Sequence, residues 1–309
     1  MHPDLTKKQL PWSPDTFPGR IEEALRHAIS SAMAGGCPPK LGRALEYAVF
    51  PGGGRLRPLL GVAVANACGD EFPCLTDASM SSLELLHCAS LVHDDLTCFD
   101  DADMRRGKPA LHVEFGEQMA VLAGDGLIVL SFSTLIRQRA VNPERVLLLL
   151  ERVSQAVGTT EGIVSGQAWE VEKIVDLTRY HRAKTAALFE AAAGCGALSA
   201  GSDPEPWRRV GQFLGEAYQA ADDIADLISP TAITGKSNKR DNALARPSIA
   251  IKMGIEESSQ ILAQLLEQAY AAVPACLAQE SFRSWLRDTT KAVIGDRLGL
   301  REIALRATK

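Results

Sequence analysis

Aromatic residues are scarce, 6% of 309, and signals of β-structure are scarcer still. Strand-like alternation is nearly absent and hairpin dipeptides are few, which excludes an all-β architecture. No fixed-period repeat is present, so a solenoid is excluded as well. Basic charge is not in excess: 33 Lys and Arg face 38 Asp and Glu, net −5. That makes general nucleic-acid binding a poor reading, though it leaves room for a local anion site or one bridged by metal ions. The seven cysteines, Cys37, Cys68, Cys74, Cys88, Cys98, Cys195 and Cys276, are odd in number, irregularly spaced and without a C-x-x-C pair. They argue against a disulfide framework or a cysteine zinc site and read as apolar thiols in a reducing compartment. The first residues, MHPDLTKKQLPWSPD, put acid and proline where a signal peptide needs an apolar core. No apolar run reaches the ~18 residues of a spanning helix, and the best, Ala120 to Phe132, contains Asp125. The expectation is a soluble cytoplasmic protein.

What is present is helical. Hydrophobic residues make up 46% and charged residues 23%, a globular composition. Residues 1–18 hold four prolines and read as an extended arm. From Ile21 the apolar positions Ile21, Leu25, Ala28 and Ala32 recur at helical spacing. Leu-, Ala-, Glu- and Arg-rich stretches predict helices near 40–50, 55–68, 79–98, 117–138, 143–174, 177–200, 206–229, 248–273 and 280–306. Asn142-Pro143 and Asp203-Pro204-Glu205-Pro206 mark helix starts. Length alone suggests about two domains, but no linker divides the chain. The expectation is one large all-α domain over residues 19–309.

The chemistry gathers in three places. Five carboxylates, Asp94, Asp95, Asp100, Asp101 and Asp103, fall within ten residues directly after the apolar stretch Met80 to Val92. Such a run is usually a solvated loop. Here it follows apolar helix without a polar transition, and Arg105 and Arg106 come straight after it. Carboxylates crowded at a helix end repel unless protons or cations intervene, and a hard divalent cation such as Mg²⁺ takes oxygen ligands while keeping positions for phosphates. A second cluster, Asp222, Asp223 and Asp226, lies inside the apolar stretch from Phe213 to Ile228, with Asp222 and Asp226 one helical turn apart on one face. Two such clusters facing each other could bind several divalent ions, and those a diphosphate. The third feature is cationic. Gly52-Gly53-Gly54 precedes Arg55 and Arg57, a glycine turn beside guanidinium forks suited to phosphate. Lys184-Thr185 interrupts an otherwise apolar helix, and Lys236, Lys239, Arg240 and Arg246 trail the second cluster. Two anionic groups are implied, one held through metals and one by cations alone. His87 lies two turns before Asp94. A histidine in an apolar helix is commonly a satisfied core residue, but its alignment with the acid cluster favours a binding role.

Together these residues resemble the trans-isoprenyl diphosphate synthase (polyprenyl synthetase) family. Its two aspartate-rich motifs match Asp94–Asp100, in the form with two extra residues, and Asp222–Asp226. The resemblance runs from about Gly52 to Pro247, and the paired motifs are highly specific. It implies an all-α bundle around a deep central cavity, normally a homodimer, and a Mg²⁺-dependent condensation of an allylic diphosphate with isopentenyl diphosphate. By resemblance, Asp94, Asp100 and Asp222 ligate Mg²⁺, three ions in all, with Asp95 and Asp226 in support. Arg105, Lys184, Gln219, Lys236 and Arg246 serve the allylic diphosphate and its surroundings, Arg57, His87 and Arg106 hold isopentenyl diphosphate, and Thr185 and Gln219 direct oxygen dipoles at the carbocation. Three departures stand out. Gly54 replaces the family's usual lysine, a change also found in carotenoid-branch bacterial members, and Arg55 is the nearest replacement cation. Thr97 stands where proline is usual, and Arg246 where lysine is usual.

Ala89 and Ser90, one turn before Asp94, are expected to line the tunnel below the allylic carbon. Both are small, whereas fifteen-carbon-producing relatives commonly carry a bulky aromatic there, so the expected product is the C20 geranylgeranyl diphosphate. The competing readings are a farnesyl diphosphate synthase, a terpene cyclase and a non-catalytic regulatory subunit. A cyclase usually carries an Asn/Ser/Glu metal motif in place of Asp222–Asp226, and regulatory chains tend to lose an acid motif, whereas this one keeps both.

Overall fold

The computed structural model describes residues 12–50, 53–173, 177–228 and 249–298. Proline sets many of the helix starts, as its fixed φ and missing N–H allow in a first turn. After a short 3₁₀ turn, Pro14–Thr16, come α1 (Phe17–Met33), α2 (Pro39–Val49), α3 (Leu56–Ala67) and α4 (Pro73–Asp94). A two-stranded hairpin, β1 (Met104–Arg105) with β2 (Lys108–Pro109), is the sole sheet among the described residues. Then follow α5 (Leu111–Phe115), α6 (Glu117–Ile136), α7 (Pro143–Val157), α8 (Ile163–Trp169) and α9 (Leu177–His181). The chain continues through a π-helical turn, Arg182–Ala186, into α10 (Ala187–Ser199), then α11 (Pro204–Ile228), α12 (Ile249–Met253), α13 (Ile255–Ala271) and α14 (Gln279–Arg297). Asn142 caps α7, its Oδ1 accepting from the Arg145 N–H at 3.0 Å, a contact that satisfies one of the free amides of the first turn.

The architecture is the expected all-α bundle, with α10 at its centre. Nearly every side chain of α10 is buried, and it packs against α3, α4, α7 and α11. Its sequence, ALFEAAAGCGALS, is short-chained because neighbouring backbones come very close. A Cβ on Gly196 would lie 2.3 Å from the Gly61 carbonyl of α3. Five of the scarce aromatics form one cluster. Trp12 packs edge-on against Phe17, Phe282 and Trp285, and Trp207 against Phe282. This cluster ties the start of the chain to α11 and α14.

Several expected boundaries shift, each for a local reason. Residues 14–18 are helical rather than part of an extended arm. The stretch read as one helix over 143–174 breaks at Gly158–Gly162, where the backbone folds back so tightly that a Cβ on Gly162 would sit 2.3 Å from the Gly158 nitrogen. The stretch 248–273 breaks at Gly254, whose φ of +83° lies in the left-handed region that favours glycine. The stretch 79–98 begins earlier, at Pro73, and ends at Asp94, after which the chain turns and the Asp100 N–H donates to the Asp94 carbonyl at 2.9 Å. The helix from Glu117 to Ile136 is longer than the apolar run read as 120–132. By length and composition it could cross a membrane, but α4 and α2 cover one of its faces.

The close contact of α3 with α10 gives a stability test. Gly196→Ala is expected to lower the unfolding free energy by about 1–3 kcal/mol, the usual cost of overpacking a tight core, as measured by urea denaturation.

Candidate active site

The first acid cluster is set by the end of α4. Asp94 is its last residue and Asp95 the residue after it. Asp95 is 3% exposed and turned onto Arg105 of β1, whose Nε donates to both carboxylate oxygens at 2.9 and 3.1 Å and whose Nη2 adds a third contact. Burial pushes the Asp95 carboxyl above its usual range, against the opposing hydrogen bond and charge of Arg105. The Arg105 guanidinium is lowered by burial, but the bond and charge of Asp95, with Asp94 and Asp100 behind it, carry it upward overall. Arg105 is therefore engaged with Asp95 in this chain. Thr97 ties the same loop to the start of α6 by donating to Glu117.

Asp94 and Asp100 face a residue that the sequence reading missed. Carboxylate oxygens of Asp94, Asp100 and Glu170 all lie within 4.8 Å of one another. Glu170 follows α8, and Gln167 of α8 donates to Asp94 Oδ1. Glu170 also accepts from the Tyr180 hydroxyl at 2.6 Å and from the Lys184 ammonium. A lone glutamate in this stretch carries no local signal of its own, and only the break at Gly158–Gly162, which makes α8 a separate helix, brings it to the cluster. Gly166 is what lets α8 reach the site: a Cβ there would fall 2.6 Å from the Lys184 Cα and nitrogen.

Lys184 and Thr185 sit in the π-helical turn rather than in regular α-helix, a distortion frequent at functional sites. The two neighbours reach opposite walls. Lys184 goes to Glu170 beside the first acid cluster. Thr185 donates to Gln219 Oε1 at 2.6 Å, and Gln219 Nε2 donates to Asp223 Oδ1 at 2.8 Å on α11. Asp223 also accepts from the Ile249 N–H at 2.8 Å, so it serves the start of α12. Asp222, one residue back, carries a cation already: Arg297 of α14 donates to it through Nη2 at 2.6 Å and contacts it through Nε. The Arg297 guanidinium lies 4.3 Å from the Tyr218 ring centroid. Asp226 is exposed, one turn further along α11. Lys236, Lys239, Arg240 and Arg246 lie outside the described residues.

A separate basic pocket adjoins these walls. The Arg57 guanidinium lies 4.8 Å from the Phe189 ring centroid, and its Nη1 is 3.4 Å from His87 Nε2. Since arginine can only donate, Nε2 is the acceptor and Nδ1 carries the ring proton. Arg57 Nε is buried without a hydrogen-bond partner, a donor awaiting an acceptor. Arg106, with φ +53°, closes over Gly53, where a Cβ would stand 2.8 Å from the guanidinium carbon. Burial holds His87 well below the usual histidine range, and Arg57, Arg106, Arg105 and Arg55 push it further. The same burial lowers Arg57, with repulsion from Arg297 and Arg106 adding to it against Tyr218 and Glu84. Arg55 does not replace the cation absent at Gly54. It is 7% exposed, with Nε on Glu22 at 2.8 Å, Nη1 on Glu84 at 2.7 Å and Nη2 on the Val49 carbonyl. Its left-handed φ of +48° turns it into the core. A Cβ at Gly54 meets nothing within 4 Å, so that position is open space. Ala89 is buried in the core, and the half-buried Ser90 turns its hydroxyl back to the His87 carbonyl at 2.8 Å.

An all-α bundle whose two acidic helix segments flank one turn, with an acid-poor basic pocket alongside, defines the class. The chain belongs to the polyprenyl synthetase family, whose pattern it matches over residues 38–280. It is 50% identical over 257 residues to a geranylgeranyl diphosphate synthase of Rhodobacter capsulatus, covering 83% of this chain and 89% of that one. It is 44% identical over 278 residues to a geranylgeranyl diphosphate synthase of Cereibacter sphaeroides, covering 90% and 96%. Among solved structures it resembles a geranyltransferase from Helicobacter pylori complexed with magnesium and isoprenyl diphosphate. That likeness has a TM-score of 0.73 at 26% identity, over 91% of this chain and 99% of that one.

The depressed His87 has a consequence for stability. The unfolded chain takes a proton at this residue as pH falls through about 6.5, while the folded chain does not until its lower pKa. Between those two values the unfolded state binds more protons, so stability rises with pH. His87→Gln is expected to flatten the fall in melting temperature below pH 6.5 relative to the parent, measured by thermal scans across that range.

Proposed function

We propose that this protein is a prenyltransferase that condenses an allylic diphosphate with isopentenyl diphosphate head to tail and releases geranylgeranyl diphosphate, C20. The observation that carries this reading is the π-turn whose adjacent Lys184 and Thr185 reach the two acidic walls, with the basic pocket of Arg57, His87 and Arg106 beside them.

The donor set fits Mg²⁺. Asp94, Asp100 and Glu170 offer three hard oxygens to one point, and Asp222 and Asp226 offer further carboxylates on the other wall. Three ions per site is the proposed complement. Bound there, Mg²⁺ supplies positive charge to the departing diphosphate. The chain's own residues supply the rest. Lys184, with Lys236 and Arg246, holds the same diphosphate, and Arg105 keeps Asp95 folded against the loop. As the allylic C–O bond ionises, the carbonyl oxygen of Gln219 and the hydroxyl oxygen of Thr185 set their dipoles toward the positive carbon. Arg57, His87 and Arg106 bind the second substrate without acids among them, so its own C–O bond is not activated. Its double bond attacks the allylic carbon, and the proton lost in forming the new double bond passes to the released diphosphate. The apolar lengths of α4 and α11 exclude water, which would otherwise trap the cation.

Chain length is assigned to Ala89 and Ser90, one turn before Asp94, on the smallness of their side chains. The two relatives at 50% and 44% identity, both geranylgeranyl diphosphate synthases, support C20 over C15, as does the carotenoid branch that the Gly54 variant of the glycine turn resembles. The functional unit is a homodimer. Val121, Leu122, Val129 and Ile136 of α6, with Leu147 and Leu148 of α7, are exposed and apolar, a patch that a second copy would cover. This pairing accounts for the apolar outer face of α6 without a lipid bilayer and fits a cytoplasmic enzyme.

Purified protein supplied with dimethylallyl and isopentenyl diphosphates and Mg²⁺ should yield a C20 product by chromatography of the dephosphorylated alcohols. No condensation at all would overturn the enzyme reading, and a stop at C15 would overturn the chain length. Ala89→Phe should shorten the product, while an unchanged product would place the limit on another wall. Gly54→Lys, projecting into open space, should lower the KM for isopentenyl diphosphate severalfold and leave that for the allylic substrate unchanged, as read from steady-state kinetics.

A further inference from the structure

Glu190 is a buried acid that the chemistry above does not use. It lies on the Ala-rich α10, 7% exposed, in a helix whose other buried residues are small or apolar. A buried carboxylate is costly unless paired, and an apolar residue of similar size would often serve stability as well. Its two oxygens are divided between two helices. Oε1 accepts from Arg182 Nε at 3.2 Å and Oε2 from Arg208 Nη2 of α11 at 3.3 Å. No hydrogen bond joins Glu190 to Lys184 or Thr185.

The Arg182–Glu190 pair is possible because of the π-turn. In an α-helix, residues eight apart are rotated by roughly 80° beyond two whole turns and do not share a face. A π-turn takes up one extra residue, so the same eight residues advance about as far as seven, within roughly 20° of two turns. Arg182 opens that turn, and its carbonyl accepts the Ala187 N–H in the i to i+5 bond that defines it. If this segment relaxed to regular α-helix, Arg182 would swing off Glu190, and Lys184 and Thr185 would rotate away from Glu170 and Gln219. Bonding to Glu190 is also the largest influence on Arg182, raising its guanidinium against the opposing effect of burial.

We propose that Glu190 is a positioning residue: braced by Arg208, it clamps Arg182 and so locks the π-turn that aims Lys184 at one wall of the site and Thr185 at the other. The inference deepens the function proposed above and rests on it for its kinetic consequence. The structural consequence, the fixed turn, stands by itself.

Glu190→Gln, Arg182→Gln and the double variant test it, with Arg182→Lys as the conservative control. Amide hydrogen exchange at Ala187 should accelerate about tenfold or more in both single variants. The allylic kcat/KM should fall about tenfold in each, with the KM for isopentenyl diphosphate unchanged. The double variant should be no worse than either single, as expected of two groups acting as one unit, and Arg182→Lys should recover most of the loss. A lowered melting temperature with Ala187 protection and both kinetic constants at parental values would overturn the clamp and leave Glu190 a purely structural residue. Because the exchange readout needs no substrate, an inactive parent chain would count against the proposed function while the clamp is still judged on Ala187.

Discussion

Negative charge crowded against apolar helices is the constraint around which the rest of this molecule is arranged. Carboxylates at the end of α4 and within α11 cannot be left bare in a partly dry interior. Arg105 lies on Asp95, Gln167 on Asp94, Lys184 and Tyr180 on Glu170, Arg297 on Asp222, and Gln219 with the Ile249 amide on Asp223. Every one of these partners comes from a different element than its carboxylate, except Gln219. The charge problem therefore dictates the packing of α8, the π-turn, the β-hairpin, α12 and α14 around α4 and α11. Arg297 in particular brings α14 across the second cluster, where its guanidinium lies on Asp222.

The same economy separates an acid-rich cluster from a cation-rich one. Around Arg57 and His87 the positive groups face one another, and the acids nearby, Glu84 and Glu22, are consumed by Arg55. Arg297 and Arg106 repel Arg57 there, and Arg57 Nε is buried without a hydrogen-bond partner. One pocket is thus acid-rich and suited to metal-bridged phosphate, the other cation-rich and suited to phosphate directly. A single helix, α4, carries His87 toward the second and Asp94 toward the first, two turns apart.

Much of this was legible in the residues themselves. Helical spacing and the scarcity of strand signals specify the all-α class. The acid runs at Asp94–Asp103 and Asp222–Asp226 announce themselves because carboxylates next to apolar helix need a physical explanation. Glu170 was not legible: a single glutamate in a polar stretch carries no such signal until the glycine break at 158–162 turns α8 back onto Asp94. Arg55 misled in the opposite sense, since its place in the glycine turn suggests a phosphate ligand, and only its left-handed backbone shows that it points inward.

The sequence by itself determined which elements form and which charges must be neutralised, because helix periodicity, proline at helix starts and local charge density act over a few residues. The tertiary structure alone decided which cation meets which acid, that Lys184 and Thr185 stand on a π-turn, and that Arg297 reaches Asp222 across 75 residues of chain. Those pairings depend on the relative rotation and approach of helices distant in sequence. They are settled by backbone contacts such as Gly166 on Lys184 and Gly196 on Gly61, where the informative residue is one with no side chain at all.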